Sequence, residues 1–152
     1  MLLSVGAATL IVILAIGVAL AVLVLKGREF DAESKAFVDE AVPSITASWS
    51  AEALLARATP ELRANVDADK LRSLFASFAW LGHLQQYEGS AGEATILLII
   101  GRGDSVSAAY LARARFSNGE AAIRIVLVRR HGKWMINNFH LDPLPASDVK
   151  GS

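Results

Sequence analysis

The sequence predicts an α+β domain carried behind one N-terminal transmembrane helix. Three observations predict it. Met1 to Leu25 carries no charged side chain, residues 30–81 repeat their apolar positions at a helical period, and from His83 the period becomes two. With 152 residues, the chain has room for one small domain and an appendage. Its 53% hydrophobic content and mean hydropathy of +0.41 exclude a disordered chain and a wholly soluble one. A net charge of zero gives no electrostatic case for nucleic acid. The absence of Cys excludes disulfides, thiolate zinc sites, iron–sulfur clusters and cysteine nucleophiles.

A helix rises about 1.5 Å per residue, so roughly 20 apolar residues cross the hydrocarbon core. Val5 to Leu25 supplies them, and Lys26-Gly27-Arg28 ends the run. No basic side chain precedes the run, and Val-Leu-Val-Leu follows the small-residue spacing at Ala19 to Ala21, so an uncleaved anchor is expected rather than a signal peptide. The bilayer is therefore the first expected partner, through residues 5–25. Gly17 and Ala21, and Ala15 and Ala19, are small residues four apart that would let two such helices approach.

Behind the anchor, Phe30, Phe37, Val38, Ala41, Ile45 and Trp49 share one helix face, and Pro43 is expected to kink or break that helix. Ser50 can cap a short helix over 51–58, with Ala53, Leu54 and Ala56 towards the core. Thr59-Pro60 reads as an N-cap with a first-turn proline. Asp67 opens a fourth helix through Leu71, Leu74, Phe75, Phe78 and Leu81, and Gly82 stops it.

Five strands are expected: 83–88, 94–100, 106–116, 121–130 and 133–141. Asn118-Gly119 predicts a two-residue hairpin turn with positive φ at both positions, which would set Phe116 opposite Ala121, Tyr110 opposite Leu127 and Arg113 opposite Arg124. A second turn at His131-Gly132 would pair Leu127 with Ile136 and Arg129 with Trp134. Both turns put the same apolar residues on one face. Asn137-Asn138 breaks the alternation and reads as a bulge. Charge follows the same division. Residues 29–93 hold 5 basic and 11 acidic side chains, a balance of −6, and residues 94–152 hold 8 and 4, a balance of +4.

Three or four helices followed by a curved antiparallel meander, ending in Gly132-Lys133-Trp134-Met135-Ile136-Asn137-Asn138-Phe139, resemble the nuclear transport factor 2-like (NTF2-like, cystatin-like) superfamily. The resemblance covers roughly residues 30–143. It implies a division into an anchor and flank at 1–28, an NTF2-like cone at 29–143 and a flexible tail at 144–152. The superfamily includes enzymes, ligand binders and non-catalytic assembly modules. Members with a single N-terminal helix and an exported domain occur in bacterial envelope complexes. That implies an inner-membrane, single-pass protein with its C-terminal domain on the periplasmic or extracellular side, although Lys26 and Arg28 by themselves favour a cytoplasmic domain.

An enzyme of this fold would place a carboxylate inside the cone. Among the inward positions of the strands flanking the first hairpin only Tyr110 and Arg129 are polar, so no catalytic residue and no cofactor are expected. The alternative reading is a small-ligand-binding or enzymatic NTF2-like cone, with a pocket of Tyr110, Trp80, His83 and Trp134. His140 and Asp142 could share a face, but with His83 as the one obvious third ligand no metal site is expected. The outer sheet face gathers Leu111, Val126, Val128 and Met135 among Arg113, Arg115, Arg124 and Arg130. Such clustering predicts a covered face, docking a second copy or another envelope protein. The expected function is thus a membrane-anchored, non-catalytic assembly module.

Overall fold

Leu, Ile, Val and Ala from Gly6 to Leu25 contain nothing that stops a helix, and the helix does not stop. In the computed structural model, which describes residues 2–99 and 103–145, α1 runs unbroken over Leu2–Thr46. The division expected at residue 28 therefore falls inside a continuous helix. The side chains from Gly6 to Lys26 are exposed all round. This stretch reaches a mean hydropathy of 3.1 and is long and apolar enough to span a bilayer. Beyond Phe30 burial becomes one-sided, with Ser34, Val38, Ala41, Val42 and Ile45 fully enclosed. Pro43 neither ends the helix nor interrupts it. It lies in the last turn, where its missing N–H removes one bond and burial of Val42, Ile45 and Thr46 offsets the loss.

The three short helices start where local capping chemistry places them. Ser50 accepts from the Ala53 N–H to open α2 (Ala51–Ala56), with Leu54 buried but Ala56 exposed, contrary to expectation. Thr59 accepts from Leu62 N–H ahead of Pro60 in α3 (Pro60–Asn65). Asp67 accepts from Asp69 N–H in α4 (Ala68–Ser77). Leu71 and Phe75 of α4 are buried, whereas Leu74 is exposed. A 3-10 turn over Ala79–Leu81 follows, and Gly82 ends it at φ 83°. Trp49 is not on the helix face expected of it. It sits beyond α1 at φ 50°, and the turn aims its indole at Phe75, Phe78 and Phe116, stacking on the last at 5.2 Å.

Four strands, rather than five, form an open, curved antiparallel meander in the order β1-β2-β3-β4. They are β1 (Leu84–Ile99), β2 (Gly103–Phe116), β3 (Gly119–Arg130) and β4 (Lys133–Pro145). The two segments expected at 83–88 and 94–100 are one strand, with register shifts between Leu84 and Gln86 and between Tyr87 and Gly89. Ile100 lies outside the described residues. The polar stretch Glu88 to Glu93 hides this strand from a reading of hydrophobic alternation because α1 holds it with oxygen atoms. Asp39 Oδ1 accepts from Tyr87 Oη at 2.6 Å and from Ser90 Oγ at 2.7 Å, and Asp31 Oδ1 accepts from Ala94 N–H at 2.7 Å. At the other edge β4 continues to Pro145, two residues into the expected tail, and 146–152 lie outside the described residues.

The first hairpin register differs from expectation by two residues. Phe116 faces Gly119, Tyr110 faces Ile125 and Arg113 faces Ala122. The turn residues are Ser117 and Asn118, and among the described non-glycine residues only Trp49 and His131 have positive φ. Tertiary bonds hold this turn. His83 N–H donates to Ser117 Oγ, Ser117 N–H to His83 C=O, Asn118 N–H to Leu81 C=O, and Asn118 Nδ2 to Trp80 C=O. Because the shift is even, every residue keeps its face. The second turn is as expected: His131 and Gly132 have φ of 51° and 76°, and Leu127 pairs with Ile136 and Arg129 with Trp134. Asn137 is the bulged residue. Its Oδ1 accepts from Thr59 Oγ1, and Ile136 bonds Arg57 C=O and Thr59 N–H through its backbone. The alanines Ala108, Ala112 and Ala114 on the inner face of β2 let α1 pack close to the sheet.

Two stability outcomes follow from these contacts. Gly82, at φ 83° and ψ −152°, occupies a region open in practice only to glycine, and a Cβ there would overlap Ser117 Oγ. Gly82→Ala is expected to cost about 1–3 kcal/mol of domain stability in denaturant melts; an unchanged midpoint would show that the Ser117 turn is not locked to it. Residues 29–152, expressed without the apolar stretch, are expected to melt as one cooperative unit, because the buried face of α1 and the sheet form their own core.

Candidate functional site

The concave side of the sheet is occupied by the protein's own side chains. Tyr110 is 4% exposed, and its hydroxyl is shared with Ser34 Oγ at 2.8 Å and donates to Asp31 C=O at 3.1 Å. Gly92 of β1 faces it, and a Cβ there would crowd its ring. Trp80 and His83 are exposed at the corner that carries the Ser117 turn. Trp134 packs edge-on against Phe30 at 6.4 Å, with its Nε1 donating to Glu33 at 3.3 Å. These four expected pocket residues are placed at separate points, and none lines the cavities described below.

Arg129 is the second polar residue at an inward position, and it does not enter a pocket with Tyr110. Instead its guanidinium lies 4.9 Å over the Phe30 ring, and its Nε is 3.5 Å from Glu33 Oε2. Asp39 is the most connected carboxylate on α1. Burial opposes its charge, but hydrogen bonds from Lys35, Tyr87 and Ser90 outweigh that and hold its carboxyl below the usual range. Burial, and then the bond to Asp39, push Tyr87 upward. Both groups are therefore structural at neutral pH, the acid charged and the phenol protonated. His140 bonds Asp142 at 2.8 Å, and Asp142 also pairs with Arg124. No group of three His, Asp or Glu is suited to a metal among the described residues.

No described element covers the outer face of the sheet. Val128 faces Met135 on one side and Ser107 on the other, Val126 faces Ala109, and Leu111 faces Arg124. Leu111 is 40% exposed, and Val126, Val128 and Met135 are half-buried. A shallow hollow of about 380 Å³ between Glu88, Gly89, Ala91, Leu111 and Arg113 extends the apolar stripe towards β1. The expected clash of Arg113 with Arg124 does not occur, since the register separates them. Arg113 has no ion pair among the described residues, whereas the other three arginines of this face are internally paired. Arg115 meets Glu88 and Glu120, Arg124 meets Asp142, and Arg130 meets Glu61.

A second feature escaped the sequence reading. Leu54, Leu62, Leu71, Leu74 and Phe139 line an apolar groove of about 350 Å³ between α2, α3, α4 and β4, with Asp67, Lys70 and Asn138 among its polar groups. The exposure of Leu74, off the buried stripe of α4, is the signal that marks it. Comparison with known proteins returned no matching family model, no matching curated protein and no matching solved structure.

The Asp39 cluster has a pH signature. Its lowered carboxyl stabilises the fold above the pKa of the unfolded chain, about 4, and that contribution is lost as pH falls through the folded value. Asp39→Asn is expected to cost about 1 kcal/mol at pH 7, discounted for partial exposure, and the gap to wild type should close below pH 4. Thermal melts across pH check this; a gap independent of pH would remove the charge from the explanation.

Proposed function

We propose that this chain is a single-pass, non-catalytic membrane module of NTF2-like fold that docks through the outer face of its sheet, anchored in the bacterial inner membrane with its domain exported. The observation that carries the docking reading is the contrast between the two sides of the sheet. The concave side is filled by Tyr110, Ile123, Ile125 and the α1 face, while the apolar stripe on the outer side has no cover among the described residues. Monomeric proteins seldom leave such stripes open without use. The helix–sheet order and the glycine turn before Trp134 support the NTF2-like assignment.

A second copy of this chain is the occupant that best fits the charge pattern. Facing two identical arginine rims would be costly if they were bare, but Arg115, Arg124 and Arg130 already carry carboxylate partners from their own chain. Tethering both copies by α1 raises their effective concentration, and small residues such as Ala15 and Ala19 allow the spans to approach. Val128→Glu puts a charge at the centre of the stripe and is expected to weaken association by a few kcal/mol. Light scattering of the full chain in detergent and cross-linking in membranes should show a dimer that this change makes monomeric. A wild-type monomer, or a dimer unaffected by the change, overturns self-docking through this face. Capture of a different envelope protein, lost with Val128→Glu, would assign the face to that partner.

The groove beside Phe139 favours a second reading, a site for a small apolar ligand. Saturable quenching of tryptophan fluorescence by a fatty acid, lost in Leu71→Gln, would support it, and no quenching would dismiss it.

A further inference from the structure

The strands climb towards the bilayer as α1 descends from it. β1 meets Asp39 at Tyr87 and Ser90, then Asp31 at Ala94, and by Ile96 it shares a cavity with Leu23, Lys26 and Phe30. Each step along β1 thus moves towards the N-terminal end of the helix. The start of β2 and the β3–β4 turn close the same cavity with Val106, Arg129, His131 and Gly132. Its volume is about 310 Å³. It lies at the depth where the apolar run gives way to charge, because Leu23 belongs to the run and Lys26 is the first charged side chain after it.

Two kinds of wall meet there. Leu23, Phe30, Ile96 and Val106 are apolar, and Lys26, Arg129 and His131 are basic or donate hydrogen bonds. No carboxylate is among the lining residues; Glu33 reaches Arg129 Nε at 3.5 Å and is shared with Trp134 Nε1. That Nε is buried and has no hydrogen-bond acceptor among the described residues. Lys26, Arg28, His131 and Lys133 have no ion pair among the described residues, so Glu33, on Arg129, is the one carboxylate paired with these basic groups. Three basic side chains with a single carboxylate between them, beside an apolar wall at headgroup depth, match an amphiphilic anion.

We propose that this cavity holds the phosphate of an anionic phospholipid headgroup. Lys26, Arg129 and His131 donate to the phosphate oxygens, and Leu23, Phe30, Ile96 and Val106 contact the glycerol and the first acyl carbons. A guanidinium and an ammonium suit a phosphodiester monoanion, one by its planar fork and the other as a point charge. The site rests on the reading of α1 as a membrane span and is independent of what docks on the outer sheet face.

The test uses the full chain in nanodiscs of phosphatidylcholine and phosphatidylglycerol in equal amounts, with retained lipid read by native mass spectrometry. Wild type is expected to retain phosphatidylglycerol about tenfold over phosphatidylcholine: both present the phosphodiester, but choline adds a cation that the basic wall of Lys26, Arg129 and His131 repels. Lys26→Gln combined with His131→Gln should abolish the preference, and both positions are exposed, so melting should be unchanged. Arg72→Gln, which removes one positive charge from the helical side, should keep it. Equal retention of both lipids, or a preference untouched by the double change, overturns the site while leaving the span intact. A chain that does not enter nanodiscs overturns the span and the site together. Inorganic phosphate that displaces the lipid at millimolar concentration would assign the cavity to a soluble anion and overturn the lipid proposal.

Discussion

Between Lys26 and Phe30 the first helix passes from one surrounding to another without a break, and the remaining structure is arranged around that continuity. Above this point its surface is apolar on all sides; below it, one stripe is apolar and the flanks carry Asp31, Ser34 and Asp39. The stripe seals the sheet by burial, and the flanks fasten its exposed edge by hydrogen bonds. Asp39 takes two hydroxyls from β1, Asp31 takes the Ala94 N–H, and Ser34 meets the Tyr110 hydroxyl. An edge strand with a polar middle would be poorly held by packing alone. Here the helix replaces missing apolar contact with charge-assisted bonds.

The same continuity shapes the outer surfaces. With α1 on one face of the sheet, the other face carries no cover among the described residues, and Arg115, Arg124 and Arg130 find their partners among neighbouring strand and helix carboxylates while Arg113 has none there. The acidic helical half and basic strand half thus meet in specific pairs, such as Arg130 with Glu61 and Arg129 with Glu33. Lys26, Arg28 and Lys133 have no such partner among the described residues, and neither have Arg63, Lys70 and Arg113. The helix runs through Gly27 without a break, so the apolar stretch and the face that packs on the sheet belong to one element.

Much of the fold was legible because the signals are local. Ser50, Thr59 and Asp67 cap amides two or three residues ahead, so the residues needed to recognise each helix start are adjacent in the chain. The His131-Gly132 turn specifies its own backbone, and alternation in β2 and β3 assigns faces regardless of the exact pairing. Of the expected site residues, the outer-face set shares one surface, as parity requires. Tyr110, Trp80, His83 and Trp134 do not assemble, because Trp80 and His83 sit at the corner before β1 while Tyr110 lies under α1 and Trp134 packs on Phe30.

What tertiary structure decided depends on groups far apart in sequence. The Ser117 hydroxyl serves His83, 34 residues away, and that bond moves the hairpin register by two against the preference of Asn-Gly. Ser90 reaches Asp39 across 51 positions and joins two apparent strands into one. Glu33 meets Trp134 across 101, at the shoulder of a cavity whose walls come from α1, β1, β2 and the last turn. The sequence alone therefore determined a membrane-length helix, the capped helices and the faces of the strands, since each is set by periodicity or by bonds within a few residues. Register, edge attachment and the gathering of cations at the bilayer end were decided by folding, because each needs a polar group whose partner no local pattern identifies.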